Sequence, residues 1–453
     1  MTTQQLIGRA HGIVRHNDLK RITISRLVYA LQPSSVKFCE RLASVGEPDH
    51  QYFLPAHVSG VNALTIDKFE GRYLLSGGAD SSIALWDLES HPPTHEHAVY
   101  TPMSAVRKTA EAHKLGITQI TFYPFDSLAF LTSSYDHTVK IYSSETLAPS
   151  ATFNLDSVVY NISLSPIASH LLVACATQSP LVRLIDLRSG ANTHTLAGHS
   201  GAILSTGWSP TREHILASGA ADGSVRLWDV RRSVSELGIL NLEDSTGMLG
   251  KPSSFSRYTV QSRAHRGPVN GVAWTADGRH ILTCGHDQRI RLWNADTGAN
   301  TCTNFGPMIR NSGLAPCTPI LVPMENVQPE KDIVFYPNEQ EILGYELFEG
   351  KLMRRLRRPQ QEDRVDEAQN KDQRNLKDKI TALAWRSHDV ELYSAHTDGA
   401  IAAWKPRTEE DAVLDEEDEQ EREALGESKK RKRGVLDDIY QDLTKKQIAF
   451  GNL

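Results

Sequence analysis

A histidine, a hydroxyl residue and an aspartate recur together four times in this chain at nearly constant spacing. The sets are His57, Ser76 and Asp80; His113, Thr132 and Asp136; His199, Ser218 and Asp222; and His265, Thr283 and Asp287. These are the parts of a nucleophilic triad: a hydroxyl to attack, an imidazole to take its proton and a carboxylate to hold the imidazole. Repetition argues against that chemistry. A catalytic constellation serves once, whereas a structural one is copied with the unit it stabilises. A fifth set keeps Ser394 and Asp398 but has Leu376 at the histidine position. No phosphate-binding loop or nucleophile elbow is present in the sequence, so a non-catalytic protein is expected. His91, His95 and His97 cluster around Pro92 and Pro93 with no cysteine nearby, which is too loose a pattern for metal ligation. No metal and no cofactor are expected.

Six residues after each aspartate stands an aromatic residue: Trp86, Tyr142, Trp228, Trp293 and Trp404. An indole N–H can reach the hydroxyl, the hydroxyl the imidazole, and the imidazole the aspartate, which closes a tight turn. Such a buried polar chain stabilises only when every member is satisfied. Short alternating or wholly apolar runs flank these positions, among them Asn62-Ala63-Leu64-Thr65-Ile66 and Val225-Arg226-Leu227-Trp228. The pattern is similar to that of WD repeats, each a four-stranded propeller blade. Two further blades are degraded. One runs from Val158 to Asp186, with Ser179 and Ile185 where Asp222 and Trp228 stand in the next. The other holds strands at Asp332 to Tyr336 and Ile342 to Phe348. The expected fold is all-β, a seven-bladed WD40 β-propeller over residues 46–405. Phe53 and Leu54 are expected to complete the last blade and close the ring.

Residues 1–45 are expected to form a helical extension, with Leu19, Ile22, Leu27, Val28 and Leu31 near one face. Six bases against one acid in residues 1–39 also resemble an organellar transit segment, but docking on the propeller or on a partner is the simpler expectation. Residues 406–453 read as an acidic then basic tail, mostly disordered.

The net charge of −6 is unevenly placed. Residues 409–423 hold ten acids and one arginine, and residues 424–453 hold seven bases and four acids, which leaves residues 1–408 neutral. A neutral propeller is a poor general binder of nucleic acid, so no direct sequence-specific contact with it is expected. Lys429, Lys430, Arg431, Lys432 and Arg433 form a basic pentamer of the kind that directs nuclear import, so a nuclear protein is expected. The five cysteines are scattered, form no CxxC pair, and read as reduced thiols. No apolar run reaches membrane-span length, no secretory signal opens the chain, and no membrane association is expected. Two insertions, 241–262 and 350–379, are expected as surface loops. The second carries Arg354, Arg355, Arg357 and Arg358 close together.

Local detail adds a resemblance. Leu227-Trp228-Asp229-Val230-Arg231-Arg232 is similar to the WDxR motif by which propeller receptors of cullin-4 ubiquitin ligases engage their damage-binding adaptor. Ile185-Asp186-Leu187-Arg188 is a degraded copy. Glu70 to Asp80, Thr132 to Asp136, Leu204 to Pro210, Arg289 to Asn294 and Glu391 to Ser394 resemble, in order, blades of the Cockayne syndrome A protein family. The resemblance implies a substrate receptor of a cullin-4 RING ubiquitin ligase in transcription-coupled nucleotide excision repair. Asp229, Arg231, Asp186 and Arg188, with Leu19, Ile22, Leu27 and Leu31, would then bind the adaptor. The opposite face would receive a Cockayne syndrome B-like remodelling ATPase and RNA polymerase II. The alternative is a WD-repeat scaffold in a chromatin or ribosome-assembly complex without ligase coupling.

Overall fold

Short strands, most of five to seven residues and largely buried, succeed one another from Val61 to Pro406. In the computed structural model they form seven antiparallel sheets arranged as a seven-bladed WD40 propeller. The structure describes residues 15–41, 53–90, 99–107, 111–167, 170–232, 236–245, 262–313, 315–323, 331–358 and 379–407, together with Ile7, 9–12, Thr109 and Val327. The chain divides into two compact units, Met1–Lys405 and Pro406–Leu453. Of the second unit only Pro406 and Arg407 are described, so the import pentamer and the acidic run lie outside the described residues. So do Leu376, His91, His95, His97 and most of both insertions.

Blade one is built from Val61–Ile66, Tyr73–Gly78, Ile83–Asp87 and Ser104–Val106, and blade two from Ile117–Phe122, Ala129–Ser134, Thr138–Ser143 and Pro149–Asn154. Blade three comprises Val159–Leu164, Leu172–Thr177, Leu181–Asp186 and Ala191–Ala197. Blade four comprises Ile203–Trp208, Ile215–Ala220, Val225–Asp229 and Glu236–Ile239. Blade five has three strands, Val269–Trp274, His280–Gly285 and Arg289–Asn294. Blade six has Ile320–Leu321, Ile333–Asn338, Glu341–Glu346 and Leu352–Arg357. The arginines expected on a loop after residue 350 therefore begin on its outer strand. Arg355 and Arg357 there share the Glu341 carboxylate, at 2.9 and 2.8 Å.

Ring closure departs from expectation. The outer strand of blade seven, beside Ile401–Pro406, is Leu31–Pro33. Phe53–Pro55 instead pairs with Lys37–Arg41, which runs parallel to Val99–Tyr100 in a separate small sheet. Phe38 of that sheet stacks on Tyr100 and meets Trp86 edge-on at 5.3 Å, sealing the junction of blades one and seven. The helix α1, His16–Tyr29, runs directly into the closing strand. Pro33 lies too near for the helix to continue, and the Ala30 N–H closes its last turn on the Arg26 and Leu27 carbonyls. Its residues Ile24 and Val28, followed by Leu31, pack among Ile333, Leu356, Leu392 and Trp404, between blades six and seven. Leu31 was expected on the helix. It lies in the strand and is fully buried.

Candidate functional site

Asp80, Asp136, Asp222 and Asp287 sit between the second and third strands of their blades, each opposite the histidine that precedes the first strand. In blade four, His199 Nε2 lies 2.7 Å from Ser218 Oγ, which accepts the Trp228 indole N–H at 2.7 Å. Blade one repeats this with His57, Ser76 and Trp86, and blade five with His265, Thr283 and Trp293. The hydroxyl can donate to Nε2 while it accepts the indole N–H, and a carboxylate, which only accepts, takes the imidazole proton from Nδ1. In blades two and five that proton reaches the aspartate directly: His113 to Asp136 and His265 to Asp287 are both 2.9 Å. In blades one and four a serine intervenes. His57 Nδ1 is 2.6 Å from Ser82 Oγ and 3.8 Å from Asp80, and His199 Nδ1 is 2.8 Å from Ser224 Oγ and 3.6 Å from Asp222. Ser82 and Ser224 are links the sequence reading missed. Their signal was a serine two residues after each of these aspartates.

Two sets are incomplete. Tyr142 is fully buried, yet its hydroxyl has no hydrogen-bond partner among the described residues, and burial pushes its pKa up to about 12. It fills the tryptophan's volume without joining the polar chain. In blade seven the Trp404 indole donates to Ser394 at 3.0 Å, but the imidazole beyond Ser394 is His396, at 3.0 Å. Asp398 pairs with Arg358 at 2.7 Å. His396 arrives from the strand itself, at a spacing the repeat pattern does not contain.

All five hydroxyls, Ser76, Thr132, Ser218, Thr283 and Ser394, have zero exposure. No substrate can reach them, so the triad chemistry their types suggest is unavailable. Burial works to raise the pKa of each of Asp80, Asp136, Asp222 and Asp287. The facing histidine, together with hydrogen bonds from Ser82, Thr138 or Ser224 in the first three and the Arg291 charge in the fourth, jointly outweighs it. All four are held well below the ordinary carboxylate range. Burial lowers the His199 and His265 pKa values, partly opposed by Asp222 and Asp287. Among the described residues no group of three or more His, Cys, Asp or Glu is placed to hold a metal ion.

The positions assigned to adaptor binding fall into two places. The Arg231 fork is turned back on its own blade, with Nε and Nη2 each donating to Asp229 at 3.0 Å, and Arg232 adds a contact to the same carboxylate at 3.3 Å. Arg72 holds Asp87 of blade one in the same two-pronged way, at 3.0 and 2.7 Å. The Asp186 carboxylate accepts the backbone N–H of Arg188 at 3.0 Å. On the helix, Leu19 is buried and Ile22 and Leu27 are half-buried against the propeller, with Leu31 beyond them. Leu27 and Leu31 thus pack on this chain's own core.

Three tryptophans lie outside the tetrads: Trp208, Trp274 and Trp385, each near the end of an inner strand. The Trp208 indole donates to the Ser163 carbonyl and that of Trp274 to the Gly207 carbonyl, so each bridges to the preceding blade. Their recurrence after a small residue, in Gly207-Trp208, Ala273-Trp274 and Ala384-Trp385, was the available signal.

The model of the WD domain, G-beta repeat, matches residues 48–87, 105–143, 190–229 and 257–294. These blades are WD40 repeats. Among similar proteins, the WD repeat-containing protein ATCSA-1 of Arabidopsis thaliana is 27% identical over 90% of this chain and 96% of its own. Radiation-sensitive protein 28 of Saccharomyces cerevisiae is 28% identical, over 41% of this chain and 39% of its own. Ribosome biogenesis protein ytm1 of Neurospora crassa is 27% identical over 54% of this chain and 56% of its own. The designation ribosome biogenesis protein recurs in further relatives, a WDR12 homolog among them, each spanning about half of either chain.

These findings correct the expected membership of the Cockayne syndrome A family. The relative whose name points there is 27% identical, and ribosome biogenesis is the designation that recurs. The cullin-4 receptor role, the damage-binding adaptor, the remodelling ATPase, RNA polymerase II and the DNA-repair function fall with it.

Proposed function

We propose that this protein is a non-catalytic WD-repeat scaffold of a ribosome-assembly complex, acting in the nucleus. The observation that carries the reading is the recurrence of ribosome biogenesis proteins among relatives matched over about half of this chain. The geometry supports the non-catalytic part, because the repeated histidine, hydroxyl and aspartate sets are sealed in the blades as hydrogen-bonded struts. The basic pentamer Lys429 to Arg433 supports nuclear entry. The scaffold acts by position: a rigid ring holds several partners on its faces and raises their concentration near one another.

The test is purification of the tagged full-length protein from its own cells, with mass spectrometry and gradient sedimentation. Co-sedimentation with pre-ribosomal particles and recovery of assembly proteins is expected. Recovery of chromatin proteins alone, with no pre-ribosomal material, overturns the reading.

A further inference from the structure

The inner strands of six consecutive blades end around a cavity of about 370 Å³ at one mouth of the ring. Pro124, Pro166 and Pro210 contribute from blades two, three and four at the same repeat position, two residues past the last core residue of each inner strand. Trp208 and Trp274 form part of the wall. The carbonyls of the preceding blade hold both indoles, so the wall is rigid. The lining includes no carboxylate, and its one charged side chain is Lys68, which occupies the proline position in blade one. Lys68 makes no ion pair among the described residues, and surrounding protein pushes its amine below the ordinary lysine pKa. Four exposed apolar side chains stand on the same turns. Phe69, Phe125, Leu128 and Ile167 are 46–57% exposed, and Ser127 ties the second turn to Asp67 of the first at 3.0 Å. Exposed apolar side chains on the turns beside such a mouth mark an interaction site.

We infer that this mouth docks a protein segment that inserts an aromatic or aliphatic side chain between the prolines and tryptophans and places a flanking carboxylate against Lys68. The occupant is set by charge and shape. Apolar walls with fixed indoles take one large side chain, and a cation without a counter-charge over a low-dielectric bowl favours an acid beside it. The inference rests on the scaffold reading and names a surface for it.

The probes are short blocked fluorescent peptides with one central Trp, Phe or Leu, flanked by two Asp, two Ser or two Lys. Binding to the full-length protein is read by anisotropy at low and high salt. Acid-flanked peptides should bind more tightly than lysine-flanked ones by roughly fivefold, as expected for a partly exposed ion pair exchanged for a repulsion. Lys68→Glu should reverse that order, and Phe125→Ser should weaken all apolar peptides alike. Binding that ignores flanking charge, or that Lys68→Glu leaves unchanged, overturns the inference. So does a single-stranded RNA oligonucleotide that binds the wild type and is lost in Lys68→Glu. If acid-flanked peptides fail while the full-length protein still recovers assembly factors, this surface is wrong and the scaffold reading stands. If the peptides bind at Lys68 but no assembly factor is recovered, the reverse holds.

Discussion

The imidazole of His396 stands 3.0 Å from the Ser394 hydroxyl, and the same hydroxyl accepts the Trp404 indole N–H. A histidine two residues along the same strand thus does in blade seven what a histidine about twenty residues upstream does in the complete sets. All three side chains are buried. His396→Ala leaves the Ser394 hydroxyl without that partner and should cost about 1–3 kcal/mol. Thermal unfolding measures it. An unchanged melting temperature would show that the Ser394–Trp404 pair is sufficient alone.

Blade two offers the opposite case. The Tyr142 hydroxyl is buried with no hydrogen-bond partner among the described residues, while its ring stacks on Phe130 at 5.3 Å. Tyr142→Phe keeps the stack and removes an unsatisfied polar atom. Stability should be unchanged or higher by up to about 1 kcal/mol. Denaturant titration decides it, and a clear loss of stability would mean that the hydroxyl is hydrogen-bonded to water.

Both cases show where the sequence is legible. The repeat spacing exposed the blades, the turn aspartates and the indoles, because a structure copied along the chain repeats its constraints. It was silent on His396, which belongs to no repeat. It also misplaced ring closure, since any short apolar run near the N-terminus could pair with Ile401–Pro406. The choice of Leu31–Pro33 over Phe53–Pro55 is made by tertiary contacts: α1 delivers Leu31 into the core around Trp404, while Phe53–Pro55 is held by Lys37–Arg41. The arginine of the WDxR sequence was legible as a residue, but its pairing with Asp229 was not, because that pairing forms only after folding.

That closing strand can be tested directly. Leu31 has zero exposure and bridges the helix to blade seven. Leu31→Ala should lower stability by about 2–5 kcal/mol, the range for truncating a fully buried leucine. The same truncation at Ile7, which is 53% exposed, should have little effect. Equal, small effects at both positions would mean that the strand does not close the ring.

Asp229 is nearly inaccessible and receives two guanidinium groups, Arg231 at 3.0 Å and Arg232 at 3.3 Å. Either fork can supply a counter-charge, so the two should substitute for each other. Arg231→Ala alone should lower the melting temperature only slightly, and the Arg231→Ala/Arg232→Ala double variant by more than the two single effects added. Strict additivity would mean that one arginine alone neutralises Asp229.

The polar chains also set how stability depends on pH. The His199 and His265 pKa values are depressed by burial in the folded state, so between their folded and unfolded values the unfolded chain binds more protons. Their contribution is present above the unfolded histidine value of about 6.5 and is lost as pH falls through the depressed folded values. Asp80, Asp136, Asp222 and Asp287 are also depressed, net of burial, by their histidine and hydroxyl or arginine partners. Their contribution holds above the unfolded aspartate value of about 3.9 and is lost only at stronger acidity. The melting temperature should therefore begin to fall below about pH 6.5 and fall again below about pH 4. His199→Gln removes one group titrating in the upper window and should flatten the first decline while leaving the second. An identical slope in the variant between about pH 5 and 7 would assign that decline to other groups.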